Sequence, residues 1–188
     1  MDHRTTDHRT TAELEPHLDH LAGSPKDAGS VELLVCRPTK GTRRLLDEAV
    51  LDTEVGLVGD SWSTRTHKPP HPDKQVTLMN HRMVQLLSAD PSRQALAGDQ
   101  LYVDLDLSVE NLPAGTRLEI GSAVVEMTGP PHTGCAIFVR HFGEEAMRFV
   151  NSRTGRAMRL RGANARVATG GVVRAGDKVL VHRPDRLW

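Results

Sequence analysis

Glycine and proline cut this chain into short apolar runs, and that punctuation limits what it can fold into. Val31–Cys36, Gln75–Met79, Leu101–Leu107, Arg117–Ile120, Ala123–Thr128, Ala163–Ala168 and Asp177–His182 are all of strand length. Arg43–Leu51 is a further candidate strand. Gly121-Ser122 reads as a two-residue hairpin loop, because Gly at the first loop position suits a type II′ turn. Helical spacing is confined to Asn80–Ser88, with Asn80 as N-cap, and to Ala136–Asn151. Many short strands and two or three helices predict a mainly β (α+β) domain with a barrel or sandwich core. The 188 residues suit one such domain, and with aromatics at 3% its core must rest on Val, Leu, Ile and Ala.

Residues 1–30 read differently. Asp-His-Arg-Thr-Thr occurs twice in tandem, at 2–6 and 7–11, and His3, His8, His17 and His20 crowd the first twenty positions. Thr10 and Glu13 have the spacing of a capping box for a short helix, Ala12–Ala22. The expectation is a mobile, polar, His-rich tail over 1–30, a folded domain over 31–184 and a C-terminal tail over 185–188.

The formal net charge is zero. With so few aromatics, this argues against nucleic-acid binding, which wants a basic footprint or stacking platforms. The zero hides two blocks. Residues 99–126 hold six acidic residues and one Arg, whereas 140–166 hold seven Arg and two Glu. The blocks either neutralise each other or leave arginine forks for an anion. No apolar run approaches the length of a bilayer span, and no secretory leader opens the chain, so a cytoplasmic location is expected. Two cysteines exclude a disulfide framework and a four-cysteine zinc site. His67, His71 and His81 fit no standard ligand spacing and read as a solvated loop. No phosphate-binding loop, dinucleotide fingerprint, zinc-protease helix or nucleophile elbow is present.

The informative stretch is Thr128-Gly129-Pro130-Pro131-His132-Thr133-Gly134-Cys135. Two prolines and two glycines fix an irregular connection after a strand, and Cys135 stands where a helix begins. A cation or base near the sulfur would make it a nucleophile or metal ligand. His132 precedes it by three residues. The bland alternative is a small buried hydrophobe. Cys36, inside an apolar strand pattern, reads as such a hydrophobe.

In order, several pieces resemble the MOSC family, named for the C-terminal domain of molybdenum cofactor sulfurase. They are Gly56-Leu57-Val58-Gly59-Asp60, Gln75-Val76-Thr77-Leu78-Met79, the hairpin Leu112–Gly121, and Ala123–Thr128 with Pro130-Pro131 and Cys135. Leu160–Val167, Gly170-Gly171 and Val173–Asp177 complete the set. The resemblance implies a β-barrel-like fold over about residues 31–183. It implies that Cys135 matches the cysteine the family uses to carry sulfur or to ligate molybdenum.

Arg156, Arg159, Arg161 and Arg166 become candidates for the phosphate of a molybdopterin cofactor or another anion, with Asp60 a further cofactor-side candidate and His132 tuning the thiol. Gly98-Asp99-Gln100-Leu101 departs from the Asn that many members carry there. The chain also lacks the barrel and desulfurase domains of larger relatives. With no self-contained pyridoxal phosphate site, its expected partner is a cysteine desulfurase or a molybdoenzyme. Three readings follow: a sulfur carrier with Cys135 as persulfide, a molybdenum–pterin oxidoreductase reducing N-hydroxylated compounds, and a binding module with an inert, buried Cys135.

Overall fold

A computed structural model describes residues 8–65 and 69–184. The first copy of the tandem pentapeptide, His3, His67 and the 185–188 tail lie outside the described residues.

Eleven strands are described: β1 (Ala28–Cys36), β2 (Arg44–Leu46), β3 (Glu48–Asp52), β4 (Gly56–Leu57), β5 (Val76–Asn80), β6 (Leu101–Asp104), β7 (Arg117–Ile120), β8 (Ala123–Met127), β9 (Ala163–Thr169), β10 (Gly171–Arg174) and β11 (Lys178–His182). Seven of them close into a barrel in the order β11-β7-β8-β9-β5-β6-β1, with β1 returning to β11 and β2 appended to β1. β10-β3-β4 form a small second sheet. The choice left open between barrel and sandwich is thus settled as a barrel.

The helices are α1 (Thr11–Leu14), α2 (Leu18–Ala22), α3 (His81–Leu87), α4 (Pro91–Gln94), α5 (Ala136–Val150) and α6 (Arg153–Ala157). β5 and β6 are the parallel pair, so their connection must cross over, and α3 and α4 supply the crossover. Asn80 turns strand into helix. Its Oδ1 accepts from Met83 N at 3.2 Å, while Nδ2 donates to Ser24 Oγ and the Leu105 carbonyl.

Burial follows what covers each strand. β7 alternates exposed and buried residues and β8 buried and half-buried ones, because their outer face meets solvent. β5 is buried at every position. Val76 and Leu78 enter the barrel core with Leu34, Leu101 and Val125. Met79 instead joins a second core outside the barrel, with Val35, Tyr102, Phe138, Phe142 and Leu160. Each buried aliphatic side chain contributes about 1.5–3 kcal/mol. In the hairpin, Gly121 takes φ +59° while Ser122 keeps an ordinary negative φ, as a type II′ turn requires.

The N-terminal segment differs from the expected tail. The capping box forms as read, Thr10 accepting from Glu13 N and Glu13 from Thr10 N. From Thr11 onward, however, the chain packs onto the domain. Leu14 and Leu21 are buried in the second core, and Thr11 N donates to Glu145 Oε2 at 2.7 Å. Leu14, Leu18 and Leu21 recur at helical spacing, so even two short helices offer an apolar face. The folded unit therefore begins near Thr11 rather than Val31.

Candidate functional site

The register gathers the candidate residues around one stretch of the barrel wall: Met127 and Val76 both pair with Ala165, and Leu78 and Leu34 both pair with Leu101. The 128–135 loop leaves β8 and is tied to the start of β9. Thr128 N donates to the Asn164 carbonyl at 3.0 Å, and Asn164 Nδ2 returns a bond to the Pro130 carbonyl at 3.0 Å. Thr128 Oγ1 donates to the Asp73 carbonyl at 2.6 Å. The loop ends at Cys135, the N-cap of α5, whose carbonyl accepts from Val139 N at 3.1 Å. Phe138 and Phe142 anchor this first stretch of α5 in the second core, and the helix path breaks at Gly143. Cys135 is exposed and Cys36 is buried. The reading of Cys135 as a buried hydrophobe is overturned: it is exposed, and as an extended N-cap (φ −131°, ψ 175°) it stands outside the helix whose Phe138 and Phe142 enter the second core.

His132 is held from below. Its Nε2 lies 2.7 Å from Asp99 Oδ1, and Asp99 Oδ2 accepts from Arg161 Nη1 at 2.6 Å. Arg161 Nη2 donates to the Ala97 carbonyl at 2.8 Å, and its guanidinium lies over the Phe138 ring. The Asp99 side chain is wholly buried. Burial alone would push its carboxyl up, but Arg161 and then His132 outweigh it, and the net direction is down. Gly162 makes the close approach possible: at φ +119°, a Cβ there would collide with the Leu78 carbonyl oxygen and lie 2.9 Å from His132 Cδ2.

A second buried pair stands nearby. Arg37 donates to Asp60 through its backbone N (2.9 Å), Nε (2.8 Å) and Nη2 (3.0 Å), and Trp62 N also donates to Asp60 at 3.0 Å. Arg37 Nη1 reaches the Gly98 carbonyl at 2.9 Å, linking the two pairs through the 97–99 turn.

A cavity of about 370 Å³ lies among these groups and is lined by Cys135, His132, Arg37, Arg43, Lys74 and Arg161, with Arg65 at its edge. Arg37 and Arg161 are matched by Asp60 and Asp99. Among the described residues, Arg43, Arg65 and Lys74 have no carboxylate partner. Burial first, and the neighbouring Arg37 next, push the Arg43 guanidinium down. Three side chains lining this cavity keep a buried polar atom without a partner: Arg43 Nε, Arg161 Nε and Asn164 Oδ1.

The arginines singled out from the sequence are dispersed. Arg161 borders the Cys135 cavity and a neighbouring one as well. Arg156 and Arg159 border that neighbouring one, of about 340 Å³, behind the Pro130–Thr133 loop. Arg159 Nη1 is committed to the Leu107 and Leu112 carbonyls. Arg166 borders neither, pairing on the surface with Glu126 at 2.6 Å. Asp60 acts through Arg37 and does not line the Cys135 cavity. Cross-pairs Asp99–Arg161 and Glu126–Arg166 join the acidic and basic blocks. His71 caps a short turn, and His81 meets Gln94 Oε1. Sequence reasoning missed Arg37, Arg43, Arg65, Lys74 and Asp99. The one signal available was Gly98-Asp99, noted only as a departure from a pattern.

Comparison with solved structures gives the same fold. The YuaD protein from Bacillus subtilis is 16% identical, with a TM-score of 0.57 over 84% of this chain and 97% of that one. YiiM from Escherichia coli is 20% identical, with a TM-score of 0.55 over 83% of this chain and 71% of that one. At such identities the likeness is one of fold. Among curated proteins nothing matches. The family model for the MOSC domain matches residues 63–180. That span runs from the edge of the cationic cavity through the Cys135 loop to the strand that closes the barrel, and the chain belongs to the MOSC domain family.

Proposed function

We propose that this MOSC domain carries sulfur, with Cys135 as the acceptor. The observation that carries the reading is an exposed thiol on the wall of a cavity whose cations outnumber its carboxylates. The Cys135 thiolate attacks the terminal sulfur of a donor persulfide. A new S–S bond forms at Cys135, the donor's S–S bond breaks, and the donor leaves as a thiolate. A cysteine desulfurase would be such a donor.

His132 handles the proton. The ionised Asp99 only accepts, so His132 Nε2 carries the proton in that bond and Nδ1 stays free to accept another. Nδ1 takes the proton of the Cys135 thiol and returns it to the leaving donor sulfur. The test is incubation with cysteine and a pyridoxal-phosphate desulfurase, followed by intact mass. A one-sulfur gain in the wild type that Cys135→Ser abolishes is expected; a wild type without the gain overturns the reading.

The three unmatched cations favour a second reading, in which the same cavity holds a molybdenum cofactor. The donor set fits that group: Cys135 is a soft ligand, and Arg43, Arg65 and Lys74 suit a pterin phosphate. When bound, the metal would supply redox chemistry, such as the reduction of N-hydroxylated compounds. Metal analysis after expression in a cofactor-competent host, read with titration of the Cys135 thiol, tests it. Metal-free protein with a free thiol counts against it.

A further inference from the structure

The cavity behind the Pro130–Thr133 loop is a second chamber, and it differs in kind from the one that holds Cys135. Its walls are largely apolar, from Val109, Pro130, Pro131 and Val150, and no Asp or Glu lines it. Three arginines do. Arg161 is matched by Asp99. Arg159 is half-buried and has two carbonyls for partners, and burial pushes its guanidinium down with no carboxylate to oppose it. Arg156 is exposed at the rim and has no carboxylate partner among the described residues. An apolar pocket with a positive excess and one uncommitted guanidinium suits a single negative charge on an apolar body. A phosphate dianion would ask for more free donors than Arg156 alone supplies.

We propose that this chamber is a binding site for a small apolar carboxylate, with Arg156 receiving the carboxylate and Pro130, Pro131 and Val150 covering the body. His132, Thr133, Arg161 and Asn164 belong to both chambers. A ligand here therefore sits against the loop that carries Cys135 without occupying the thiol's own cavity. The proposal does not depend on sulfur transfer, since it concerns residues on the other side of that loop.

The probe is benzoate, titrated into the full chain and followed by amide NMR. Signals of Gly129, Asn151, Gly155 and Gly162 are expected to move, while Thr77 and Gly98, which face only the Cys135 cavity, stay still. Benzamide, neutral and of the same shape, and inorganic phosphate should leave the Gly129 set unmoved at matching concentrations. Arg156→Gln should weaken benzoate roughly fivefold or more, as loss of a charged hydrogen bond at a partly wet site predicts. Gly129→Trp offers an independent block, because a Cβ at Gly129 meets nothing within 4 Å and the chain tolerates a side chain there. Cys135→Ser should bind as the wild type does. Equal binding of benzamide, unchanged affinity in both Arg156→Gln and Gly129→Trp, or movement of Thr77 and Gly98 instead would overturn the proposal.

Discussion

Arg37–Asp60 and Arg161–Asp99 are built alike. In each, a wholly buried carboxylate holds an arginine at the edge of the Cys135 cavity. They differ in what fills the rest of the carboxylate. Asp60 is saturated by Arg37 and by the backbone N–H groups of Arg37 and Trp62. Asp99 divides itself between Arg161 and the ring of His132. The first pair is closed and serves as scaffold. The second ends on the His132 ring, which lines the cavity, so a ring beside Cys135 is tied to a buried charge. Similar ion pairs in one site thus take different parts according to a single remaining acceptor position.

The largest effect should be shared by both pairs. Asp60→Ala and Asp99→Ala each leave a buried guanidinium unmatched, and each should cost about 3–5 kcal/mol in urea unfolding. A loss below about 1 kcal/mol in either would dissolve the likeness. Acid bears on the Asp99 pair. The folded pKa of Asp99 is lowered, so its contribution is fully present above the unfolded carboxylate value of about 3.9 and is lost as the pH falls through the lower folded value. Asp99→Asn should flatten that acid-side loss of stability.

The two thiols extend the contrast between scaffold and site. Cys36→Ser buries a hydroxyl in the barrel core and should cost about 1–3 kcal/mol, whereas Cys135→Ser should stay within about 0.5 kcal/mol. Iodoacetamide should label Cys135 in the folded protein and reach Cys36 only in denaturant. The smallest and most specific effect is on that labelling rate. Asp99→Asn should change it by loosening the His132 ring that Asp99 holds, and Asp60→Asn should not.

Local signals carried much of the fold. The Gly121-Ser122 hairpin, the Asn80 cap and the Thr10–Glu13 box depend on residues close in sequence, and all three form. β4 and β10 were not legible as strands, because two and four glycine-containing residues become strand only by pairing with β3. Cys135 and His132 stood out because prolines and glycines frame them. The cations around Cys135 did not, since Arg37, Arg43, Arg65 and Lys74 come from three separate stretches that only barrel closure brings together. Asp99 stood out only as a departure from a family pattern, because its partners Arg161 and His132 lie far along the chain.

Barrel closure also has a consequence in time. The seam joins Ala28–Ser30 to Lys178–Leu180, nearly opposite ends of the domain in sequence. While the chain is being synthesised, β1 and β7 must wait with unsatisfied edges until β11 has left the ribosome. For most of its own translation the nascent protein is an open sheet, and it is then that a chaperone or a stray strand would find it.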